Sequence, residues 1–439
     1  MPTREELKQR VAGEIDRQAE ELVRLATTIL ANPELGFKEF KTSETVAKAF
    51  DALGLGYEEE ITLTCVIARV SGRRNRPAVA VMGEMDALVC YEHPSADPTT
   101  GAAHACGHNA QVAAMLGVGM GLVDSGVMEE LDGDVVLMAM PAEEYVEIAF
   151  RLTLREQGRV EFLGGKQEFI RLGKFDDVDL AMGGHLRSDT PERIVTVGAS
   201  GNGFIGKTVR FIGREAHAGS RPDRGVNALN AAMLAMMGIH SLRETFREED
   251  YIRVHPVITK GGDSVNIVPA DVRVETYVRG RTVEAVMDAN RKVNRALRAG
   301  AMAVGAEVEI ADIPGYLPYA MDPKMVALLK KNMMALIGEG SVVEKRVHRG
   351  GSSDIGDVSC IVPTLSFSVG GVEGYAHTRN FTIVDREMAY VIPAKAMAMT
   401  IVDLLYDGAA VAKEIVRSFK PLVSKAGYVG LWRRLLSGE

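Results

Sequence analysis

The chain has 439 residues, beyond the size at which one hydrophobic core keeps growing, so two domains are expected. Apolar residues at 46% and charged residues at 25% exclude a disordered or fibrous chain and describe an ordinary globular one. The formal net charge of −8 excludes a nucleic-acid binder with a basic phosphate-neutralising face and leaves small-molecule substrates open.

The segment 1–8 is charged and lacks an apolar centre, so it does not read as a signal peptide, and no run is expected to reach membrane-spanning length. Cys65, Cys90, Cys106 and Cys360 are too few and too scattered for a disulfide framework. A cytoplasmic protein with no membrane partner is the expectation. Apolar positions at helical spacing predict two opening amphipathic helices, over 4–30 and 42–53. Residues 78–82 form a short apolar run read as a buried strand, with Asp86 just past its end.

The stretch Ala103-His104-Ala105-Cys106-Gly107-His108-Asn109 then precedes a helix predicted over 111–122. A Cys and a His two residues apart point the same way only from an extended or turned backbone, and Gly107 supplies that freedom. Cys106 and His108 could grip cations from one loop, but a buried thiol and a helix-start histidine explain the pair equally well. A second buried strand over 134–140 is stopped by Pro141 and followed by Glu143 and Glu144. The layout recurs at 178–184, followed by His185, and at 363–369, where a Gly-rich turn leads to His377. Four groups of site-type residues thus follow the carboxyl ends of apolar strands, the edge at which open α/β sheets bind ligands.

Between 199 and 312 the pattern changes to strand, helix, strand, strand, helix, strand, the order of a four-stranded ferredoxin-like βαββαβ unit. Helices over 324–337 and 394–406 complete the chain, and the segment 145–174 is assigned only some helix.

Adjacent carboxylates on a loop can divide their work. One of Glu143 and Glu144 binds metal and the other is left to take a proton from an activated water and hand it to a leaving amine. Amide hydrolysis is the chemistry such a set suits. Mixed sulfur, nitrogen and oxygen donors point to divalent ions, manganese or zinc first, with cobalt, nickel or iron(II) also admitted.

The His-Ala-Cys-Gly-His and Pro-Ala-Glu-Glu segments, His185, and Gly213-Arg214-Glu215-Ala216-His217-Ala218-Gly219 resemble the aminoacylase/carboxypeptidase family of dinuclear metallohydrolases in clan MH. More narrowly they are similar to its amidohydrolase branch, with p-aminobenzoyl-glutamate hydrolases and amino-acid conjugate hydrolases. The resemblance implies a mixed-sheet α/β catalytic domain, 1–198 and 313–439, interrupted by a ferredoxin-like lid and dimerisation domain, 199–312. It implies Cys106, His108, Glu144, His185 and His377 as metal ligands and Glu143 as general base. It also implies a homodimer or higher homo-oligomer in which His217 reaches the partner's site and stabilises the oxyanion. Asn266 matches the family's Asn-x-x-Pro segment near the substrate's polar end, and Arg279 could bind a carboxylate there.

Three positions depart from the family pattern. Glu84-Met85-Asp86 stands where many relatives have His-x-Asp, which moves Asp86 behind the ligands; Asn109 replaces an Asp; and Tyr145 follows the Glu pair where relatives often carry Gly. His104 is expected behind the ligands, and His93, His240, His255 and His348 in ordinary structural or surface roles. Met233, Met236 and Met237 are expected in the core, and Gly350-Gly351-Ser352-Ser353-Asp354 reads as a turn-rich loop. Two other functions share these features: hydrolytic deamination of an aromatic amine, as by 5-nitroanthranilate aminohydrolase, invited by the Tyr145 segment, and an inactive binding module.

Overall fold

The structure, a computed structural model, describes residues 2–344 and 347–437. Two compact units make up the chain: Met1–Ala199, Ala320–Val347 and Asp357–Lys425 form the first, and Ser200–Tyr319, His348–Gly356 and Ala426–Glu439 the second.

The first unit is a mixed α/β structure on an eight-stranded sheet. Its order is Tyr57–Glu59, Val66–Val70, Asp134–Met140, Ala78–Glu84, Leu180–Leu186, Thr364–Val369, Val195–Val197, Val342–Glu344. The four central strands run parallel, and two of them, Ala78–Glu84 and Asp134–Met140, are buried along their whole length. Strands covered on both faces need apolar side chains on both, which is why these read as unbroken apolar runs. Helix His108–Asp124 lies against this sheet on one side and against Arg4–Arg17, Ala19–Leu30 and Ile392–Ser418 on the other. Its residues from His108 to Leu122 are all buried as a result.

Two helical expectations change. The helix predicted over 4–30 is two, Arg4–Arg17 and Ala19–Leu30, because Gln18 leaves helical geometry at φ −100° and ψ 10°. Thr3 and Glu6 start the first with reciprocal capping bonds, which contribute about 1 kcal/mol. The helix predicted over 394–406 starts two residues earlier, at Ile392, and leaves helical geometry from Tyr406 to Ala409, beyond which a further helix runs to Ser418. Together with the turn before it, Glu387–Ser418 is long and apolar enough to cross a membrane, contrary to expectation, yet 94% of its most apolar window is buried inside the fold. That length of apolar chain is a core helix, packed on Arg4–Arg17 and Pro323–Ile337.

The second unit carries an antiparallel sheet in the order Arg253–Val254, Asp271–Gly280, Gly203–Ile212, Glu307–Pro314, with Val257–Lys260 also paired to Asp271–Gly280. Helices Ala228–Ser241 and Val283–Val304 pack on each other and on this sheet, so the chain order is βαββαβ with the second strand broken in two. Alternate residues of Asp271–Gly280 are buried, as a sheet covered on one face requires.

The unit boundaries differ from the sequence expectation. The insertion runs to Tyr319 rather than 312, and it takes in His348–Gly356 and the chain from Ala426 on. His348–Arg349 pairs with Ser200–Gly201, and the last helix brings Leu431, Trp432 and Leu435 to an apolar cleft lined by Phe204, Ile205 and Val286. Met233 and Met237 are 52% and 63% exposed rather than core. Ala231, Ala232, Ala235 and Ile239 form the buried face of that helix instead, small residues that let its partner helix approach.

Candidate metal centre

The parallel strands deliver their chemistry to one edge of the first unit. Ala78–Glu84 ends on Glu84 and presents Asp86 two residues later. Past Met140 the chain turns through Ala142, at φ 56°, into Glu143 and Glu144. His185 lies within strand Leu180–Leu186 rather than beyond it. His377 lies between the paired strands Val372–Glu373 and Thr382–Ile383, and its amide donates to the Ala105 carbonyl at 2.8 Å. Gly107 holds φ 83° at the start of helix His108–Asp124, a left-handed geometry that glycine adopts without strain, and so sets Cys106 and His108 on one side.

Cys106 belongs to two groups of donors. In each of Cys106–His108–His185 and Cys106–Glu144–His377 the candidate ligand atoms all lie within 4.8 Å of one another. The Cys106 Sγ is 3.5 Å from His185 Nε2, and His377 Nε2 is 3.1 Å from Glu144 Oε1. His108 is oriented from behind, its Nδ1 2.8 Å from the Asp86 carbonyl and 3.2 Å from Asp86 Oδ1. Both partners are acceptors, so Nδ1 carries the proton in the neutral ring and Nε2 is the lone-pair nitrogen. That Nε2 is buried with no hydrogen-bond partner. The other Asp86 oxygen accepts from the Glu144 amide at 2.8 Å, so one carboxylate behind the cluster fixes the His108 ring and the Glu loop together. Glu143 Oε2 stands 3.9 Å from His108 Nε2, outside both Cys106 groups but within a third group of donors, Glu84–His108–Glu143, whose atoms also lie within 4.8 Å of one another.

The electrostatics are those of a cation site. Burial and the Glu144 carboxylate push the Cys106 thiol up, but the His185 and His108 imidazoles outweigh them and bring it down to about 6. Hydrogen bonds to Cys106 and Glu144 raise His377 to about 11. Burial works to lower His108 and His185, yet the neighbouring anions raise both. Without a metal, protons on imidazoles balance the thiolate and carboxylates; a divalent ion would displace them, as metal binding at such ligands does. His108 Nε2, buried without a hydrogen-bond partner and 3.3 Å from Glu84 Oε2, and the soft and borderline donors around it fit such an ion.

Glu84 and Glu39 were not legible as site residues. Glu84 is buried, with Oε1 accepting from Lys166 Nζ at 2.6 Å and Oε2 from Gln111 Nε2 at 2.5 Å. Burial pushes its carboxyl up, but Lys166, His108 and His185 outweigh it and hold it down to about 2. The fully buried Glu39 accepts from the Ala142 amide at 2.8 Å, and burial together with the Asp86 charge raises it to about 7. Its place before a helix start gave no signal of this. His104 is buried with both ring nitrogens unpartnered, and burial drives it down to about 3, so it sits neutral. His93 is also buried, its Nε2 2.9 Å from the Phe381 carbonyl. Asn109 is buried, donating to the Ala26 carbonyl at 3.3 Å, and Tyr145 is half-buried beside the Glu pair.

His217, Asn266 and Arg279 belong to the second unit. The Ala218 amide donates to the Asn266 carbonyl at 2.9 Å, so the first two share one loop cluster, and both are exposed. His217 Nδ1 accepts from the Gly219 and Ser220 amides at 3.1 and 3.2 Å, which puts the neutral ring's proton on Nε2. Arg279 Nη1 donates to Ser352 Oγ at 2.7 Å, and its guanidinium lies 5.3 Å from both the Phe204 and Tyr277 ring centres.

The chain is an α/β metal-dependent hydrolase acting on C–N bonds, and the donor set at this parallel sheet edge is its candidate metal centre. The chain belongs to Peptidase family M20/M25/M40, whose model matches residues 80–401. It is 27% identical to the Xaa-Arg dipeptidase of Mus musculus, over 91% of this chain and 89% of that one. It is 25% identical to one of the subunits of p-aminobenzoyl-glutamate hydrolase from Escherichia coli, over 73% of this chain and 80% of that one. Among solved structures it resembles the Bacillus subtilis YXEP protein, a dinuclear metal binding peptidase of this family. The TM-score is 0.68 at 21% identity, over 89% of this chain and 99% of that one. The family expected from the sequence motifs is therefore the one whose model matches residues 80–401.

Proposed function

We propose that the chain is an amidohydrolase that cleaves the C–N bond of an N-acyl or N-aroyl amino acid or of a dipeptide. The observation that carries this reading is Cys106 shared between two donor groups with Glu143 beside them. Cys106, His108 and His185 would hold one ion and Cys106, Glu144 and His377 the other, manganese or zinc being the first candidates. Bound there, divalent ions lower the pKa of water and polarise a carbonyl oxygen. Glu143 takes the proton of the attacking water and delivers it to the leaving amine. Asp86 keeps the His108 proton on Nδ1 so that Nε2 faces the centre.

Arg279 and Asn266 would bind the substrate's polar end, with Tyr145 on the wall of the site. Burial lowers the Arg279 guanidinium pKa, and among the described residues no carboxylate pairs with it, which suits it to a substrate carboxylate. A dipeptidase and an aminobenzoyl-glutamate hydrolase among the relatives support an amide substrate ending in an amino acid. The four free thiols suit a reducing compartment such as the cytoplasm.

The test is a panel of N-acyl amino acids, N-aroyl amino acids and dipeptides assayed for amine release, beside aminobenzoates assayed for ammonia. Amine release from the first group and silence on the second is expected. Ammonia from aminobenzoates without amide cleavage would move the same centre to an aromatic-amine deaminase, and a metal-loaded protein silent on both would be a binding module.

The active unit is proposed as at least a dimer, with His217 Nε2–H serving the partner's oxyanion. Met233, Leu234 and Met237, exposed along one helix of the second unit, support a face that pairs. Mixing His217→Ala and Glu143→Gln chains is expected to restore activity in hybrids, to about a quarter of the parent's on random pairing. Hybrids shown to form without recovery would remove the shared site.

A further inference from the structure

We propose that Arg151 is a positioning residue for the Glu143–Glu144 turn, supplied by the segment that follows the pair. The inference rests on the roles proposed above for those two carboxylates. Helix Ile148–Glu156 follows the Glu pair directly and places Arg151 at 0% exposure. Its Nη1 donates to the Leu163 carbonyl at 2.7 Å and to the Ala142 carbonyl at 3.3 Å, and its Nη2 donates to the Glu144 carbonyl. One planar fork thus holds a carbonyl on each side of Glu143 and ties both to the far end of the segment.

The opposite side of the turn is held by carboxyl oxygens. The Ala142 amide donates to Glu39 and the Glu144 amide to Asp86, each at 2.8 Å. Carboxyl oxygens therefore grip the amides and a guanidinium grips the carbonyls of the same two residues, Ala142 and Glu144. This over-determines a turn whose Ala142 sits at φ 56°, a geometry that a non-glycine residue keeps only when its surroundings enforce it.

A guanidinium buried without an anion is costly, and among the described residues no carboxylate pairs with Arg151. Besides carbonyls it meets the ring faces of Phe37 and Tyr145, at 5.4 and 5.8 Å from their centres. The local chain accommodates it at specific points. Gly36 has no room for a side chain, since a Cβ there would strike Arg151 Nη2 and come within 2.9 Å of Ala142 Cα. Lys38 pairs with Glu147 at 2.7 Å and anchors the start of the helix. A segment needed only to fill space would place an apolar residue here; five donors in a fixed plane are what three carbonyls call for.

The consequence is that Arg151 acts on turnover and metal retention and not on substrate affinity. Arg151→Met is expected to melt cooperatively and to turn over about 100-fold more slowly with KM changed less than about threefold, the cost of a misplaced catalytic group. Its affinity for metal, read by competition with a chelator, is expected to fall about tenfold, as when the support of a ligand is removed. Guanidinium ion added to Arg151→Ala is expected to raise kcat about tenfold by refilling the carbonyl cradle, and to do nothing for Glu143→Gln.

A folded Arg151→Met protein with parental kcat and metal retention would overturn the proposal. If that variant does not fold, Arg151→Lys decides. A single ammonium cannot span the carbonyls, so a cooperative melt with reduced kcat and unchanged KM supports the proposal and parental kcat overturns it. A Glu143→Gln protein with parental activity would instead remove the reading beneath it.

Discussion

Replacing Glu143 with Gln is expected to lower turnover about 10³-fold, within the range that general acid–base groups contribute, while bound metal stays in place. Glutamine keeps the shape and the hydrogen-bonding reach but cannot accept and return a proton. Glu143 lies outside both Cys106 groups, in a separate group with Glu84 and His108, so its loss removes no donor from the two that share the thiol. KM for an amide substrate is expected to change little, because the proton moves only as the bond to water forms. Steady-state rates and metal analysis on one preparation check this. Metal lost together with activity would make Glu143 a ligand, and parental turnover would leave the reaction without its base.

Cys106→Ala is expected to do more, abolishing activity by emptying the centre. The thiol is the one donor common to both groups, so its removal leaves His108 with His185 on one side and Glu144 with His377 on the other. Two donors per ion are short of the three or four that divalent ions take from protein, and affinity is expected to fall on the order of 100-fold or more. Charge adds to geometry. The thiol pKa is depressed to about 6, so at neutral pH Cys106 is an anion facing a cation, and below about 6 protons compete for it. Metal retention in the parent is therefore expected to weaken as pH falls through that value.

Legibility in the sequence followed the physics of each element. The central strands could be read because burial on both faces demands continuous apolar runs, and Asp86, Glu143, Glu144 and His185 followed because they sit at or near the ends of those runs. The break at Gln18 could not be read, since glutamine is a good helix former and tertiary packing sets the angle there. Met233 and Met237 were misread because residue type alone does not say which face of Ala228–Ser241 is inward; the alanines do.

Glu84 registered only as a missing histidine. Its partners Gln111 and Lys166 lie 27 and 82 positions away, and nothing local announces such a pairing. Arg151 was hidden for a similar reason. It serves backbone carbonyls, which leave no trace in side-chain patterns, from a helix of 9 residues, too short to show a clear period. The boundary at Tyr319 and the return of His348–Gly356 to the second unit were likewise beyond composition, being set by a two-residue strand pairing.

The most direct test is a metal count on the parent and Cys106→Ala proteins, purified side by side and assayed on the same amide substrate. The predicted result is two divalent ions per parent chain, activity lost on chelation and restored as the ions return, and neither metal nor activity in the variant. A parent that cleaves the amide at full rate after its metal is stripped, or a Cys106→Ala protein that keeps both ions, would contradict it.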